Sequence, residues 1–228
     1  MTALTLYYHP LSSYCHKVLI ALDVLRIGVD KRELDLGDPA QRAAHLALWP
    51  TGKMPLLVDQ GRAIPETSII IEYLQRHYAQ GDLLIPADPE AALEVRLWDR
   101  LFDQYVMTPM QALTADLLRP EHARDAFGAA DAHSKLSEAY AWIDQQLAGR
   151  TWAAGAAFSM ADCAAAPALF YALAYVPLPP QHVHLTAYFE RLLAHSSVAG
   201  VIAQAGPWLP FFPGRAGLSR RFFDPADH

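Results

Sequence analysis

Cysteine is scarce in this sequence, which has Cys15 and Cys163 and no other cysteine among its 228 residues. Two cysteines so far apart exclude a disulfide framework, and they exclude the paired-cysteine zinc motifs. Scarce cysteine is also typical of proteins from a reducing compartment. The sequence therefore predicts a cytoplasmic protein without a metal centre.

Positive charge and long apolar runs are lacking as well. Lysine and arginine number 18 against 24 acidic residues, and a net charge of −6 argues against nucleic acid or an anionic membrane as a partner. The most apolar run, residues 163–176, contains Pro167 and is shorter than the ~20 residues that a membrane-spanning helix needs. No basic segment followed by an apolar run opens the chain, so we expect no secretory signal.

The stretch from Leu4 to Val18 predicts a strand, a short loop and the start of a helix. Apolar residues alternate in LTLYY, and His9-Pro10 then ends the strand because proline cannot donate a ladder hydrogen bond. Apolar residues follow at helical spacing from Val18. A helix that starts in this loop directs free backbone N–H groups and the positive end of its dipole at whatever the loop holds.

Ser12 and Cys15 have the spacing of a Cys-x-x-Cys redox motif with serine in the first position. Serine cannot form the disulfide, but its hydroxyl can donate a hydrogen bond to the sulfur anion of a ligand. A simpler interpretation is that Ser12 or Ser13 only caps the helix, because serine is a favoured N-cap. This stretch alone leaves both interpretations open.

The remaining pattern predicts a small α/β unit followed by helices. Strands are expected at residues 30–36, 56–58 and 62–64, and helices at 41–48 and from 67 to 74. A linker rich in glycine and proline follows at 81–89, and the rest of the pattern is helical. The helices are expected at 90–118, 122–147, 160–176, 185–193 and 197–204. We therefore predict domains at residues 1–80 and 90–228.

Two further motifs precede predicted elements of the first domain. In Lys53-Met54-Pro55, proline at the start of a strand leaves the Met54 backbone available to a ligand, and a cis bond before Pro55 would serve this well. Glu66-Thr67 opens a helix, where N–H groups and a hydroxyl could hold a carboxylate while Glu66 holds an ammonium group. The alternative is an ordinary helix start with a capping hydroxyl.

Together these motifs resemble the cytosolic glutathione transferases over nearly the whole chain. The resemblance rests on Ser12, Lys53-Met54-Pro55 and Glu66-Thr67 in this order, on the linker and on the helical second half. Residues 158–162 (FSMAD) also resemble the N-capping box of that family, a structural motif. The chain departs from the usual pattern in two places, with Thr67 where serine is commoner and Tyr14 where several classes have proline.

The resemblance implies a thioredoxin-like first domain that binds glutathione, followed by a helical bundle, in a homodimeric detoxification enzyme. Glu66 and Thr67 would hold the γ-glutamyl group, the Met54 backbone next to Pro55 would pair with the cysteinyl backbone, and Lys53 would neutralise the glycine carboxylate. Ser12 would face the thiol. Ser13, Tyr7 and Cys15 are the alternatives for the catalytic residue.

The second domain would supply an apolar pocket for a hydrophobic electrophile. Its candidate residues are aromatic or flexible and apolar, which suits such a substrate. They are Tyr105, Met107, Met110, Trp208 and Phe211. The expected activity is conjugation of glutathione, or isomerisation or reduction that uses glutathione. The competing hypotheses are a thiol-disulfide oxidoreductase that uses Cys15 and a non-catalytic protein that binds glutathione or hydrophobic ligands.

Overall fold

A four-stranded mixed sheet lies in the first third of the chain in the computed structural model, which describes residues 4–223. The strands are β1 (Thr5–Tyr8), β2 (Asp30–Glu33), β3 (Leu56–Asp59) and β4 (Arg62–Ile64). Their spatial order is β2-β1-β3-β4, with β1 parallel to β2 and antiparallel to β3, and β3 antiparallel to β4. The predicted domain limits at residues 1 and 228 lie outside the described residues.

Three helices accompany this sheet and complete a thioredoxin-like domain, as predicted. They are α1 (Ser13–Val24), α2 (Pro39–Leu48) and α3 (Thr67–Tyr78). The side chain of Asp38 accepts a hydrogen bond from the Ala40 N–H, so α2 begins at Pro39, earlier than its apolar pattern. The second strand ends at Glu33, three residues before its predicted end.

The second part of the described chain is helical. Its main helices are α4 (Pro89–Leu101), α5 (Thr108–Leu117), α6 (Ala126–Gln146), α7 (Met160–Ala172), α8 (Val183–Ala194) and α9 (Ser196–Ala205). The single helix predicted at 90–118 is interrupted by a π-helical turn, Phe102–Met107. The helix predicted at 122–147 starts only at Ala126, because the Asp125 side chain caps it by accepting from the Gly128 N–H.

Helix α7 lies at the centre of the molecule, and all its residues are buried. It packs against α1 of the first domain and α4 of the second, so one hydrophobic core joins the two domains. At its start, the Ser159 N–H donates to Asp162 Oδ2 at 2.8 Å, as the capping box predicts. Residues 4–223 include no helix with the length and apolar character needed to cross a membrane.

Candidate active site

Ser12 caps helix α1 at the carboxyl end of strand β1. Its Oγ accepts a hydrogen bond from the Cys15 N–H at 3.4 Å, and its carbonyl accepts from the His16 N–H at 3.0 Å. The loop before it is held by a 2.6 Å hydrogen bond between His16 Nε2 and the Pro10 carbonyl. Ser12 is half-buried, and since its Oγ acts as an acceptor in the cap, its own proton remains available to a ligand. Capping and donation to a sulfur anion are therefore compatible.

Ser13 is the first residue of α1 and is buried. Its Oγ accepts a hydrogen bond of 2.8 Å from Nε2 of Gln111 on α5. This bond ties the start of α1 to the second domain, and Ser13 is more buried than the neighbouring Ser12.

Cys15 and Tyr7 are poorly placed for thiolate chemistry. The Cys15 side chain is fully buried, and burial raises its pKa to about 12 although a hydrogen bond with Ser12 lowers it. A thiol with so high a pKa is not a nucleophile at neutral pH. The centre of the Tyr7 ring lies 6.2 Å from that of the His45 ring, and the guanidinium of Arg32 lies over the Tyr7 ring. Tyr7 lines neither of the two cavities described below, which together contain the residues predicted to bind glutathione.

Six residues are predicted to bind glutathione, and a cavity of about 290 Å³ brings together five of them, all except Ser12. We call it the polar cavity. Lys53, Met54, Pro55, Glu66 and Thr67 line it, together with Tyr14, Trp49, Arg100, Asp103, Gln104 and Thr108. The peptide bond between Met54 and Pro55 is cis. The first domain thus supplies the predicted residues, and the second domain closes the cavity with residues that sequence reasoning missed.

Glu66 adopts an unusual backbone conformation at the start of helix α3. Its φ angle is +70°, in a region of backbone conformation that residues other than glycine rarely adopt. Its side chain makes no capping hydrogen bond. The side chain is exposed, whereas Thr67 is buried. Backbone strain of this kind concentrates at functional sites, and here it leaves the Glu66 carboxylate free to meet a ligand.

A buried ionic cluster lies next to the polar cavity. Lys17 Nζ is fully buried and contacts Asp99 Oδ1 at 2.6 Å, Asp103 Oδ2 at 2.7 Å and Ser68 Oγ at 3.1 Å. Ser68 Oγ donates to Asp99 Oδ2 at 2.6 Å and accepts from Arg100 at 3.0 Å. The cluster joins α1, α3, α4 and the π-helical turn, so it fixes the two domains around the cavity.

Asp103 links this cluster to the cavity. Its Oδ2 is paired with Lys17, while its Oδ1 has no hydrogen-bond partner among residues 4–223. Burial raises the pKa of this carboxyl, and the charge of Lys17 partly offsets the shift. A sequence signal existed: Lys17 lies within an apolar helix, and the acids at 99 and 103 are four residues apart on one helix face.

A second cavity of about 890 Å³, the apolar cavity, opens beside Ser12 and Ser13. Met54 lines both cavities, so the two meet at this residue. Met110 and Trp208, both predicted for an electrophile pocket, line it. Further apolar lining residues are Leu11, Leu34, Leu36, Leu118, Tyr171, Phe212 and Pro213. Ser12 therefore lines the apolar cavity, and Met54 is the residue that this cavity shares with the polar one.

Three residues predicted for the electrophile pocket lie elsewhere. Met107 is completely buried in the core, and Tyr105 is 58% exposed in a separate groove between α5 and α6. Phe211 is 72% exposed, while its neighbour Phe212 points into the apolar cavity. The π-helical turn explains the positions of Met107 and Tyr105. It has about one residue more per turn than an α-helix, so its side chains are rotated away from their α-helical directions.

Among residues 4–223, no group of three or more His, Cys, Asp or Glu side chains is placed to hold a metal ion.

Family models and named proteins are similar to this chain in sequence. The models of the glutathione S-transferase N-terminal and C-terminal domains match residues 6–82 and 106–196. The Escherichia coli K12 protein named glutathione S-transferase GstB is 28% identical in an alignment 211 positions long, which covers 87% of this chain and 97% of that protein.

Solved structures extend the similarity to three dimensions. A glutathione S-transferase from Methylobacillus flagellatus KT, solved with GSH bound, has a TM-score of 0.79 and 30% identity over 87% of this chain and 98% of its own. A glutathione S-transferase from Methylobacterium radiotolerans, in complex with glutathione sulfonate, has a TM-score of 0.75 and 26% identity over 88% and 94%. With both domain models matched in order and the fold shared over most of its length, the chain belongs to the glutathione S-transferase family.

Proposed function

We propose that this enzyme binds glutathione in the polar cavity and stabilises its thiolate at Ser12 for attack on a hydrophobic electrophile. The electrophile would lie in the apolar cavity. The observation that carries the proposal is that Met54 lines both cavities, while Ser12, at the N-terminus of α1, lines the apolar one. Two relatives solved with glutathione or its sulfonate support the choice of ligand.

Each part of glutathione has a matching group. Glu66, with the unpaired Asp103 Oδ1 nearby, suits the γ-glutamyl ammonium group, and the N-terminus of α3 at Thr67 suits the γ-glutamyl carboxylate. The Met54 backbone, set by the cis bond to Pro55, would pair with the cysteinyl unit. Lys53 is exposed at the edge of the cavity and would neutralise the glycine carboxylate.

The chemistry requires a stabilised thiolate and proximity, and no oxidant or metal. Ser12 would donate its proton in a hydrogen bond to the thiolate without ionising, and the N–H groups and dipole of α1 would add to this. With an activated aryl chloride, the sulfur forms a bond to the ring carbon, and chloride leaves with the electron pair of the broken bond. Glutathione-dependent isomerisation or reduction would use the same thiolate.

Two measurements test the proposal. Calorimetry should show glutathione binding to the purified protein, and turnover of 1-chloro-2,4-dinitrobenzene should exceed the uncatalysed rate. Binding without turnover of any electrophile would favour a non-catalytic binding protein. Rapid alkylation of Cys15 in the folded protein, with disulfide reduction that depends on it, would favour the thiol-disulfide oxidoreductase.

We also propose the biological setting that the sequence predicts: a cytoplasmic homodimer with domains 1–80 and 90–228 and a linker at 81–89. Exposed apolar side chains on α3 and α4 support the dimer, since Ile69, Leu93 and Leu97 are each at least half exposed. Sedimentation should give a species of twice the 25.2 kDa chain mass. A single species near the chain mass at micromolar concentration would contradict it.

A further inference from the structure

The rim of the apolar cavity carries charge of one sign. Glu33 and Asp35 line this cavity, whereas none of the described lining residues is lysine or arginine. Besides these carboxylates, the described lining residues with ionisable side chains are His9 and Tyr171. The two carboxylates are therefore the fixed side-chain charges that a substrate meets at the described wall of this cavity.

The position of these carboxylates follows from the topology of the sheet. Strand β2 runs parallel to β1, with Glu33 paired to Tyr8, and the Leu34 N–H donates to the Tyr8 carbonyl at 2.8 Å. Parallel strands end at the same edge of a sheet. Residues that follow β2 therefore emerge next to the loop that follows β1, and that loop carries Ser12.

The charges at the rim are not neutralised by neighbours. No hydrogen bond or ion pair involves the Glu33 carboxylate within residues 4–223, and Arg32 is paired with Asp30 at 3.0 Å. Asp35 is held in place, because its Oδ1 accepts from the Gly37 N–H at 2.8 Å and its own N–H donates to Gln41. These two hydrogen bonds keep the charge of Asp35 next to the cavity.

Aromatic rings also line this cavity. Tyr171 and Phe212 pack edge to face with ring centres 5.0 Å apart, and the half-buried Trp208 contacts the His9 ring at 5.1 Å. Aromatic faces bind flat rings and also attract cations. The volume of about 890 Å³ accommodates a substrate larger than a single ring.

We propose that the electrophile of this enzyme is a flat, apolar molecule that is neutral or positively charged, and that Glu33 and Asp35 select against anionic electrophiles. The inference rests on the proposed function, because it assigns the apolar cavity to the electrophile. A bound glutathione thiolate would strengthen the same selection by adding negative charge beside Ser12. For carboxylates at a solvent-exposed rim, each charge changes binding a few-fold, so the pair should give about tenfold.

The test compares three electrophiles that share a 4-chloro-3,5-dinitrophenyl ring. One carries a carboxylate, one a carboxamide, and one a trimethylammonium-methyl group. Each kcat/KM is divided by the uncatalysed rate constant with glutathione, which removes the intrinsic reactivity of the ring. We expect the neutral compound to exceed the anionic one by about tenfold and the cationic compound to exceed it by more, and both differences should shrink as salt is added.

Matched variants assign the selection to the rim. The Glu33→Gln/Asp35→Asn variant keeps the shapes of both side chains and should reduce the ratio of neutral to anionic turnover by about tenfold. The control variant Asp82→Asn/Glu121→Gln makes the same change in net charge at exposed positions outside the cavity, so it should leave the ratio unchanged. A preference for the anion, or a ratio that the rim variant does not alter, would overturn the inference.

Calorimetry separates this inference from the proposed function. The same three compounds without the ring chlorine cannot react, and their affinities should follow the same order. The predicted order of affinity without any turnover of the chlorinated compounds would support the rim selection and contradict the transferase proposal. Turnover without the predicted order would leave the transferase proposal intact and overturn the selection.

Discussion

The polar and apolar cavities meet at Met54 but are built in different ways. The predicted residues of the polar cavity come from two short segments, 53–55 and 66–67, each at the start of a strand or helix. The apolar cavity collects side chains from the loop after β1, the start of α1, β2 and the loop after it, α5, α7 and the segment after α9. The part of the polar cavity that these motifs form depends on the free N–H and C=O groups at the ends of strands and helices and on charged side chains. A cavity made from distant segments depends on how helices pack, so the two should respond differently to substitution.

The largest expected effect comes from the buried ionic cluster behind the polar cavity. Lys17→Met removes the cation that Asp99 and Asp103 share, and an uncompensated buried charge should lower the free energy of unfolding by about 3–5 kcal/mol. Denaturant titration measures this change. The triple variant Lys17→Met/Asp99→Asn/Asp103→Asn removes all three charges and should recover much of the loss. An unaltered midpoint in the single variant would show that the cluster does not hold the domains together.

The pH dependence of stability should come from His16, beneath the Ser12 loop. Burial lowers the pKa of this residue to about 4, although its hydrogen bond to the Pro10 carbonyl acts in the opposite direction. The unfolded state therefore binds one more proton between pH ~6.5 and 4, and stability falls as the pH drops through this window, by about 3 kcal/mol in total. Unfolding curves measured every half pH unit should show this slope, and His16→Gln should flatten it. An equal slope in both proteins would assign the proton to another group.

Binding of glutathione should depend on the Glu66 carboxylate. Glu66→Ala removes a charged partner of the ligand ammonium group, so affinity measured by calorimetry should fall by about 2 kcal/mol. Glu66→Gln keeps the size of the side chain and isolates the charge. Glu72 on helix α3 is half-buried and paired with Arg96, and Glu72→Gln serves as the control. Unchanged affinity in a folded Glu66→Ala protein would show that the site is wrongly assigned.

A smaller effect is expected in the apolar cavity. Trp208→Ala removes one aromatic wall and should raise the KM for a neutral aromatic electrophile about five-fold, since a partly exposed ring contributes about 1 kcal/mol. Phe211→Ala is a matched control, because Phe211 lies nearby but is exposed outside the cavity. Equal KM changes in the two variants would indicate a general effect of the C-terminal segment.

The same contrast explains which features were predictable from the sequence. The order of strands and helices followed from periodicity and from proline and glycine positions. The grouping of Lys53, Met54 and Glu66 followed from the resemblance of their motifs to those of the glutathione transferases. The positions of Tyr105 and Met107 were not predictable, because an α-helical pattern does not reveal a π-helical turn. The choice between Phe211 and Phe212 depended on packing against Tyr171 on α7. The partnership of Lys17 with Asp103 joins residues far apart in the chain, which periodicity cannot pair.

The central claim is that the Ser12 hydroxyl stabilises the thiolate where the two cavities meet. The most direct test is the ultraviolet titration of the thiolate band of bound glutathione in the wild-type protein, Ser12→Ala and the control Ser13→Ala. A free thiol has a pKa near ~8.5, and bound glutathione should ionise below it. Ser12→Ala should move this titration to higher pH and lower kcat more than glutathione affinity, while Ser13→Ala should not. An unmoved titration in Ser12→Ala, with a shift in Ser13→Ala, Tyr7→Phe or Cys15→Ala, would contradict the claim.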